Sequence, residues 1–121
     1  MARILIVDDE PDIVNLLERI LLARGHKVTK ARDGAEALAR ASADPPDLVL
    51  IDRNLPKIDG NEVCKRLRAD DATRRVPVVM MSGSYIPIEE VGGAHAPDAY
   101  VVRPFLREIL IANVERLLAR A

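Results

Sequence analysis

The stretch RILIVDDEP, residues 3–11, decides how the rest of the chain is read. After Arg3 come four apolar residues, and the run stops at three consecutive acids, Asp8, Asp9 and Glu10, before Pro11. A short Ile/Leu/Val run without alternation suits a strand covered on both faces. Proline suits the first turn of a helix, where its missing N–H costs no hydrogen bond. The stretch therefore reads as a buried strand, a charged rim and the start of a helix.

Working outward, the apolar run recurs as HKVTKA (26–31), DLVLI (47–51), VPVVMM (76–81) and AYVV (99–102). Helical patterns fall between the runs. In 11–24, Ile13, Leu16, Leu17, Ile20 and Leu21 form one stripe, and Gly25 suits the stop. Residues 33–43 are helix-prone, with Asp33 as cap. Residues 61–69 put Val63 and Leu67 on one face, with Asn61 as cap. The last pattern, 105–120, aligns Leu106, Ile109, Leu110, Val114, Leu117 and Leu118. Between Met81 and Tyr100 no stripe is sustained, and the Pro and Gly content predicts only a short helix, 87–91, or irregular structure. Parallel strands need crossover connections, nearly always right-handed. The expected fold is thus α/β: a five-stranded, doubly wound parallel sheet in the flavodoxin-like order 2-1-3-4-5. It carries five helices, the fourth short or irregular.

Bulk properties narrow the function. The 121 residues suit one domain, 1–121, and the net charge of −1 gives no basic footprint for nucleic acid. The doublets Lys65-Arg66 and Arg74-Arg75 read as solvated surface. The single cysteine, Cys64, has no His or Cys nearby and reads as a small packed residue. His95, in the irregular segment, reads as plain surface. No apolar stretch approaches the roughly 20 residues that span a bilayer. Acids arrive too soon after Ile4–Val7 for a signal peptide, so a cytoplasmic setting is expected.

In open α/β sheets, ligands bind beyond the carboxyl ends of the strands, where the strand order switches. Here the first strand ends in Asp8-Asp9-Glu10, the third in Asp52, the fourth in Ser82-Gly83-Ser84 and the fifth in Arg103-Pro104-Phe105. One acid would serve as a helix cap. Several acids on one rim repel one another and call for a cation. All-oxygen ligands favour Mg²⁺ or Ca²⁺ over zinc or copper, and Mg²⁺ keeps positions for phosphate oxygens.

These residues resemble the receiver domain of bacterial two-component response regulators. The likeness covers essentially the whole chain and rests on ILIVDDEP (4–11), ARDGAEAL (31–38), PDLVLIDRNLPKIDG (46–60), VPVVMMSG (76–83) and YVVRPF (100–105). The resemblance implies that Asp52 is the phosphoacceptor and that Asp8 and Asp9 bind Mg²⁺ with it. The backbone carbonyl of Asn54 would complete the metal shell. Ser82 would bond a phosphoryl oxygen, Tyr100 would be the aromatic switch, and Gly60 the turn glycine after the active-site loop. It implies a histidine kinase or phosphotransfer protein as donor and a cis bond before Pro104. The 82–105 face would shift to alter partner binding, with a weak homodimer through 86–120.

Two residues depart from the family pattern. Arg103 stands where the family has Lys, and the two are not equivalent at a phosphate site. Arg53, after Asp52, stands where an apolar residue is usual, and reads as a loop cation. Arg103 keeps a second reading open, a phosphorylation-independent docking or dimerisation module in which it simply closes the site onto Asp52. A hydrolase with an Asp nucleophile is disfavoured because DRNLP (52–56) lacks a second Asp. No GxGxxG or GxxxxGK[ST] motif for nucleotides occurs. The expected role is a phosphoacceptor, not a turnover enzyme.

Overall fold

Each apolar run becomes a strand, and the runs without alternation lie in the middle of the sheet. In a computed structural model that describes residues 2–83, 93 and 95–120, the order is β1 (Arg3–Val7), α1 (Pro11–Ala23), β2 (Lys27–Ala31), α2 (Gly34–Ala43), β3 (Leu48–Asp52), α3 (Gly60–Ala69), β4 (Val78–Ser82), β5 (Ala99–Val102) and α4 (Arg107–Ala119). All pairings are parallel, and the strand order is β2-β1-β3-β4-β5. Every residue of β3 and β4 is buried, whereas only Ala31 is buried in β2, an edge strand. The expected flavodoxin-like topology is thus observed. The short helix expected over 87–91 lies outside the described residues.

Alternation along the strands splits the core in two. Ile4, Ile6, Leu48, Leu50, Val79 and Met81 face α1 and α4, meeting Leu17, Leu21, Leu110 and Val114. Leu5, Val7, Val49, Ile51, Val78 and Met80 face α2 and α3, meeting Ala37, Ala41, Val63 and Leu67. Burying each large apolar side chain contributes about 1.5–3 kcal/mol. Cys64 is fully buried in the second layer, and burial pushes its thiol up to about 11. It is the small packed residue expected.

The helix ends follow their local chemistry, with corrections. Pro11 opens α1, and Gly25, at φ 87°, follows its end. The Asp33 carboxylate accepts the Glu36 N–H, and Glu36 Oε1 accepts the Arg32 N–H in return. The cap of α3 is Asp59, which accepts the Glu62 N–H, not Asn61; the helix begins at Gly60, so Asn61 is already inside its first turn. Pro77 lies before β4, which starts at Val78 and runs on to Ser82. The apolar stripes are narrower than expected. Leu16, Leu106 and Ile109 are exposed, and α4 starts after Leu106.

Candidate functional site

The strand order changes direction between β1 and β3, and there the carboxyl ends present Asp8 and Asp52 side by side. Asp52 is the last residue of β3, opposite Met81 in the register. Asp8 follows β1, its N–H bonded to the Ala31 carbonyl. Both are buried, at 1% and 2% exposure, while Asp9 and Glu10 are exposed. Carboxylate oxygens of Asp8, Asp9, Glu10 and Asp52 all lie within 4.8 Å of one another. Glu10 thus joins the three carboxylates expected from sequence.

Each buried acid has one oxygen held by backbone. Glu10 N–H donates to Asp8 Oδ1 at 2.9 Å, and Asn54 N–H donates to Asp52 Oδ1 at 3.0 Å. Among the described residues, Asp8 Oδ2 is buried without a hydrogen-bond partner. An orphaned anionic oxygen facing three further carboxylates is the donor set of a hard divalent cation, so these residues fit Mg²⁺. The Asn54 side chain is exposed.

Arg103 approaches from the end of β5. Its Nη2 lies 2.9 Å from Asp52 Oδ1, as the closing contact anticipated, but Nη1 also lies 3.9 Å from Asp8 Oδ2. That second contact depends on a long side chain's rotamer and carries no signal in sequence. Its backbone N–H donates to the Ser82 carbonyl at 2.7 Å, and its bond to Pro104 is cis. Ser82, fully buried, ends β4 opposite Val102, and Tyr100 sits two residues earlier on β5, half-buried against the α2/α3 layer. Arg53 is half-buried, with its N–H on the Met81 carbonyl. Gly60 N–H returns to the Arg53 carbonyl at 2.8 Å, closing the loop beyond Asp52. His95 is exposed, and its carbonyl accepts the Cys64 thiol at 3.4 Å.

The sequence matches the response regulator receiver domain family over residues 4–115. The chain belongs to that family. This receiver is 40% identical over 121 residues to the DNA-binding dual master transcriptional regulator RpaA of Synechocystis, covering 99% of this chain and 50% of that one. The receiver thus spans about half the length of the curated relatives it matches. Among solved structures, the Vibrio cholerae chemotaxis protein CheY4 superposes with a TM-score of 0.88 at 31% identity, covering 97% of this chain and 98% of that one. The receiver domain of a sensor histidine kinase from Pseudomonas aeruginosa superposes with a TM-score of 0.87 at 28% identity, covering 98% of each chain. That structure has a magnesium ion coordinated in its active site cleft. Receivers are signalling switches of two-component systems, and no helix among the described residues here is long and apolar enough to cross a membrane.

Burial pushes the Asp8 carboxyl of this receiver up to about 6; Asp52 adds to the rise, while the Glu10 N–H and Arg103 oppose it. A pKa raised in the folded state means that the native form holds the proton more tightly. The contribution to stability is therefore fully present below the unfolded value near 4 and is lost as pH rises to about 6. Asp8→Asn removes this loss. In chelator, the melting temperature of Asp8→Asn relative to wild type is expected to climb by roughly 5 °C between pH 4 and 6.5 and then level off. Parallel melting curves across that range would assign the titration elsewhere.

Proposed function

We propose that this receiver is a phosphoacceptor switch in which Asp52 takes the phosphoryl group of a histidine kinase or phosphotransfer protein. The observation that carries the reading is the buried Asp52 at the strand-order switch, with Asp8 on one side and Ser82 and Arg103 on the other. An Asp52 oxygen attacks phosphorus, the new O–P bond forms, and the donor's P–N bond breaks, its imidazole leaving with a proton. Asn54 N–H and Arg103 orient the carboxylate through Oδ1. When bound, Mg²⁺ on Asp8, Asp9, Asp52 and the Asn54 carbonyl supplies charge neutralisation between the carboxylate and the anionic donor. The added charge, roughly −1.5 to −2 by analogy with phosphate esters, then draws the Ser82 hydroxyl and Arg103 toward the phosphoryl oxygens. Tyr100 follows inward and re-forms the 82–105 face.

Partners follow from the same reading. The donor docks at the acidic rim, and a downstream protein or a second copy uses the 86–120 face, where Val102, Leu106 and Ile109 are exposed. The reading gives the chain no nucleic-acid contact or membrane of its own, places it in the cytoplasm, and makes it a switch, not a turnover enzyme. A phosphorylation-independent docking module has less behind it. Asp8, Asp9, Asp52 and Ser82 are all retained, and Arg103 engages Asp52 in place of a lysine.

Beryllofluoride with Mg²⁺ mimics the phosphoryl group. Amide NMR shifts are expected to spread from Asp52 to Ser82 and Tyr100 in wild type and to vanish in Asp52→Ala. Silence in both wild type and Arg103→Lys would overturn the proposal.

A further inference from the structure

We infer that the outer edge of β2 is a docking site for an extended acidic segment of a partner protein, which adds to the sheet as a sixth strand. Lys27 N–H donates to the Ala2 carbonyl, and the Ala31 carbonyl accepts the Asp8 N–H, so β2 turns residues 27 and 31 toward β1. Backbone groups alternate sides along a strand. Thr29 therefore faces β1 as well, and the N–H and C=O of Val28 and Lys30 point outward. β2 is the last strand on that side of the sheet, and Lys27, Thr29 and Lys30 are exposed. Two donors and two acceptors thus stand in one row, the template that strand addition uses.

The flanking helices leave room beside this row. A cavity of about 360 Å³ opens at its carboxyl end, between Val14 and Asn15 of α1 and Arg40 of α2, with Lys30 and Ala31 between them. A second, of about 210 Å³, lies on the α2 side, bounded by Thr29, Arg40, Ala43 and Pro46. The two faces differ in character. Toward α1, Val28 is half-buried, and Leu22 is 52% exposed one helical turn beyond the Glu18 that meets Lys30. Toward α2 stand Lys27 and Arg40. An added strand would set apolar side chains toward α1 and acids toward α2.

Charge selects the occupant. Lys30 pairs with Glu18 at 3.0 Å and Arg40 with Glu36 at 3.4 Å, whereas Lys27 and Arg32 make no ion pair among the described residues. A second copy of this chain would bring the same cations against them, and like charges across a strand pair are destabilising. An acidic segment meets them with opposite charge. Asp9, exposed at the mouth of the larger cavity, opposes acids there, so the acidic side chains belong level with Lys27 and Arg40.

A capped heptapeptide alternating glutamate and valine, titrated into the isotope-labelled receiver, is expected to move the amide signals of Val28 and Lys30 most and to slow their hydrogen exchange. The matching lysine–valine peptide is expected to do neither. Lys30→Pro removes an N–H that the ladder to β1 does not use, and proline is tolerated in that place on an edge strand. Lys30→Ala removes the same ammonium but keeps the N–H, so the pair isolates backbone pairing from charge. Lys30→Pro is expected to bind the acidic peptide roughly ten-fold more weakly than Lys30→Ala. Lys27→Glu is expected to bind it about five-fold more weakly than wild type. If Lys30→Pro does not fold, Lys27→Glu and the exchange rates of Val28 and Lys30 carry the comparison. No shift at all, equal binding by Lys30→Pro and Lys30→Ala, equal binding of the two peptides, or shifts centred on α4 overturns the site. Broadening of β2 signals that grows with protein concentration in the absence of peptide gives the edge to a second copy and overturns it too.

Discussion

Gly60→Ala is expected to destabilise the receiver by about 2 kcal/mol or more and to abolish its response to Mg²⁺ and beryllofluoride. Two effects oppose each other. Gly60 is the first residue of α3 and has no positive φ, so alanine would favour the helix by about 1 kcal/mol. Against this, a Cβ at position 60 collides with the Asp52 carbonyl oxygen and lies 2.8 Å from Arg53 Cα and 3.0 Å from the Asp52 carbonyl carbon. These are backbone atoms at the end of a fully buried strand, so no rotamer change relieves the overlap. Either α3 retreats or Asp52 moves, and both open the loop that Gly60 N–H closes onto the Arg53 carbonyl. The clash wins.

Gly34→Ala is the control, since Gly34 also opens a helix. Its Cβ would meet the Val63 side chain at 2.7 Å, Ile58 Cβ at 3.1 Å and the Ile58 carbonyl oxygen at 3.2 Å. The one contact below 3.0 Å is the end of the Val63 side chain, and Ile58 lies in a loop that can shift by the few tenths of an ångström its own contacts need, so a cost of about 1 kcal/mol is expected, with the beryllofluoride response kept. Urea melts of both variants, alongside the NMR response, decide the matter. A Gly60→Ala protein as stable and responsive as wild type would show that α3 does not fix Asp52.

Much of this geometry was legible because strand ends are local. A run such as LVLI followed by Asp52 tells where the strand stops, and chain order in a doubly wound sheet brings such ends onto one rim. Asp8 and Asp52 were therefore placed together by reading the punctuation of β1 and β3, and the two-faced burial of both strands followed from unbroken Ile, Leu and Val. What escaped was side-chain reach and the exact start of helices. The sequence pattern over 61–69 offers Asn61 as the cap of α3, yet close approach to the Asp52 carbonyl makes Gly60 the first helical residue and hands the cap to Asp59. Leu16 and Ile109 fit a helical stripe, but the sheet covers only part of each helix surface and leaves them exposed, while Leu106 falls before α4 in extended backbone and is exposed there. Arg68 showed nothing, because its partner Asp98 lies 30 residues away.

That pair supports the second large prediction. Arg68→Ala is expected to cost about 2–3 kcal/mol and lower the melting temperature by roughly 10 °C. Arg68 lies near the end of α3, and its side chain is only 10% exposed. Nη1 donates to the Val76 carbonyl at 2.6 Å and the Arg74 carbonyl at 3.2 Å, and Nη2 donates to Asp98 Oδ2 at 2.6 Å. The same Asp98 oxygen accepts the Val78 N–H at 2.8 Å, while Asp98 N–H returns to the Val78 carbonyl. One guanidinium therefore ties α3 to the entrance of β4 and, through Asp98, to the entrance of β5. Truncation leaves the part-buried Val76 carbonyl without this donor and strips the Asp98 carboxylate of its cation, leaving it only the Val78 N–H, which costs more than the bond itself contributes. Arg66, on the same helix, pairs with Glu62 in the open, with both side chains about half exposed, and Arg66→Ala should change stability by no more than about 0.5 kcal/mol. Thermal melts of the two variants make the comparison, and equal melting temperatures would sink the brace. Asp98→Asn keeps an oxygen for the Val78 N–H and loses only charge, so it should fall between them. The loss in Arg68→Ala should also appear as faster amide exchange in β5, because the strand that presents Arg103 to Asp52 at its far end is anchored by Arg68 at its near one.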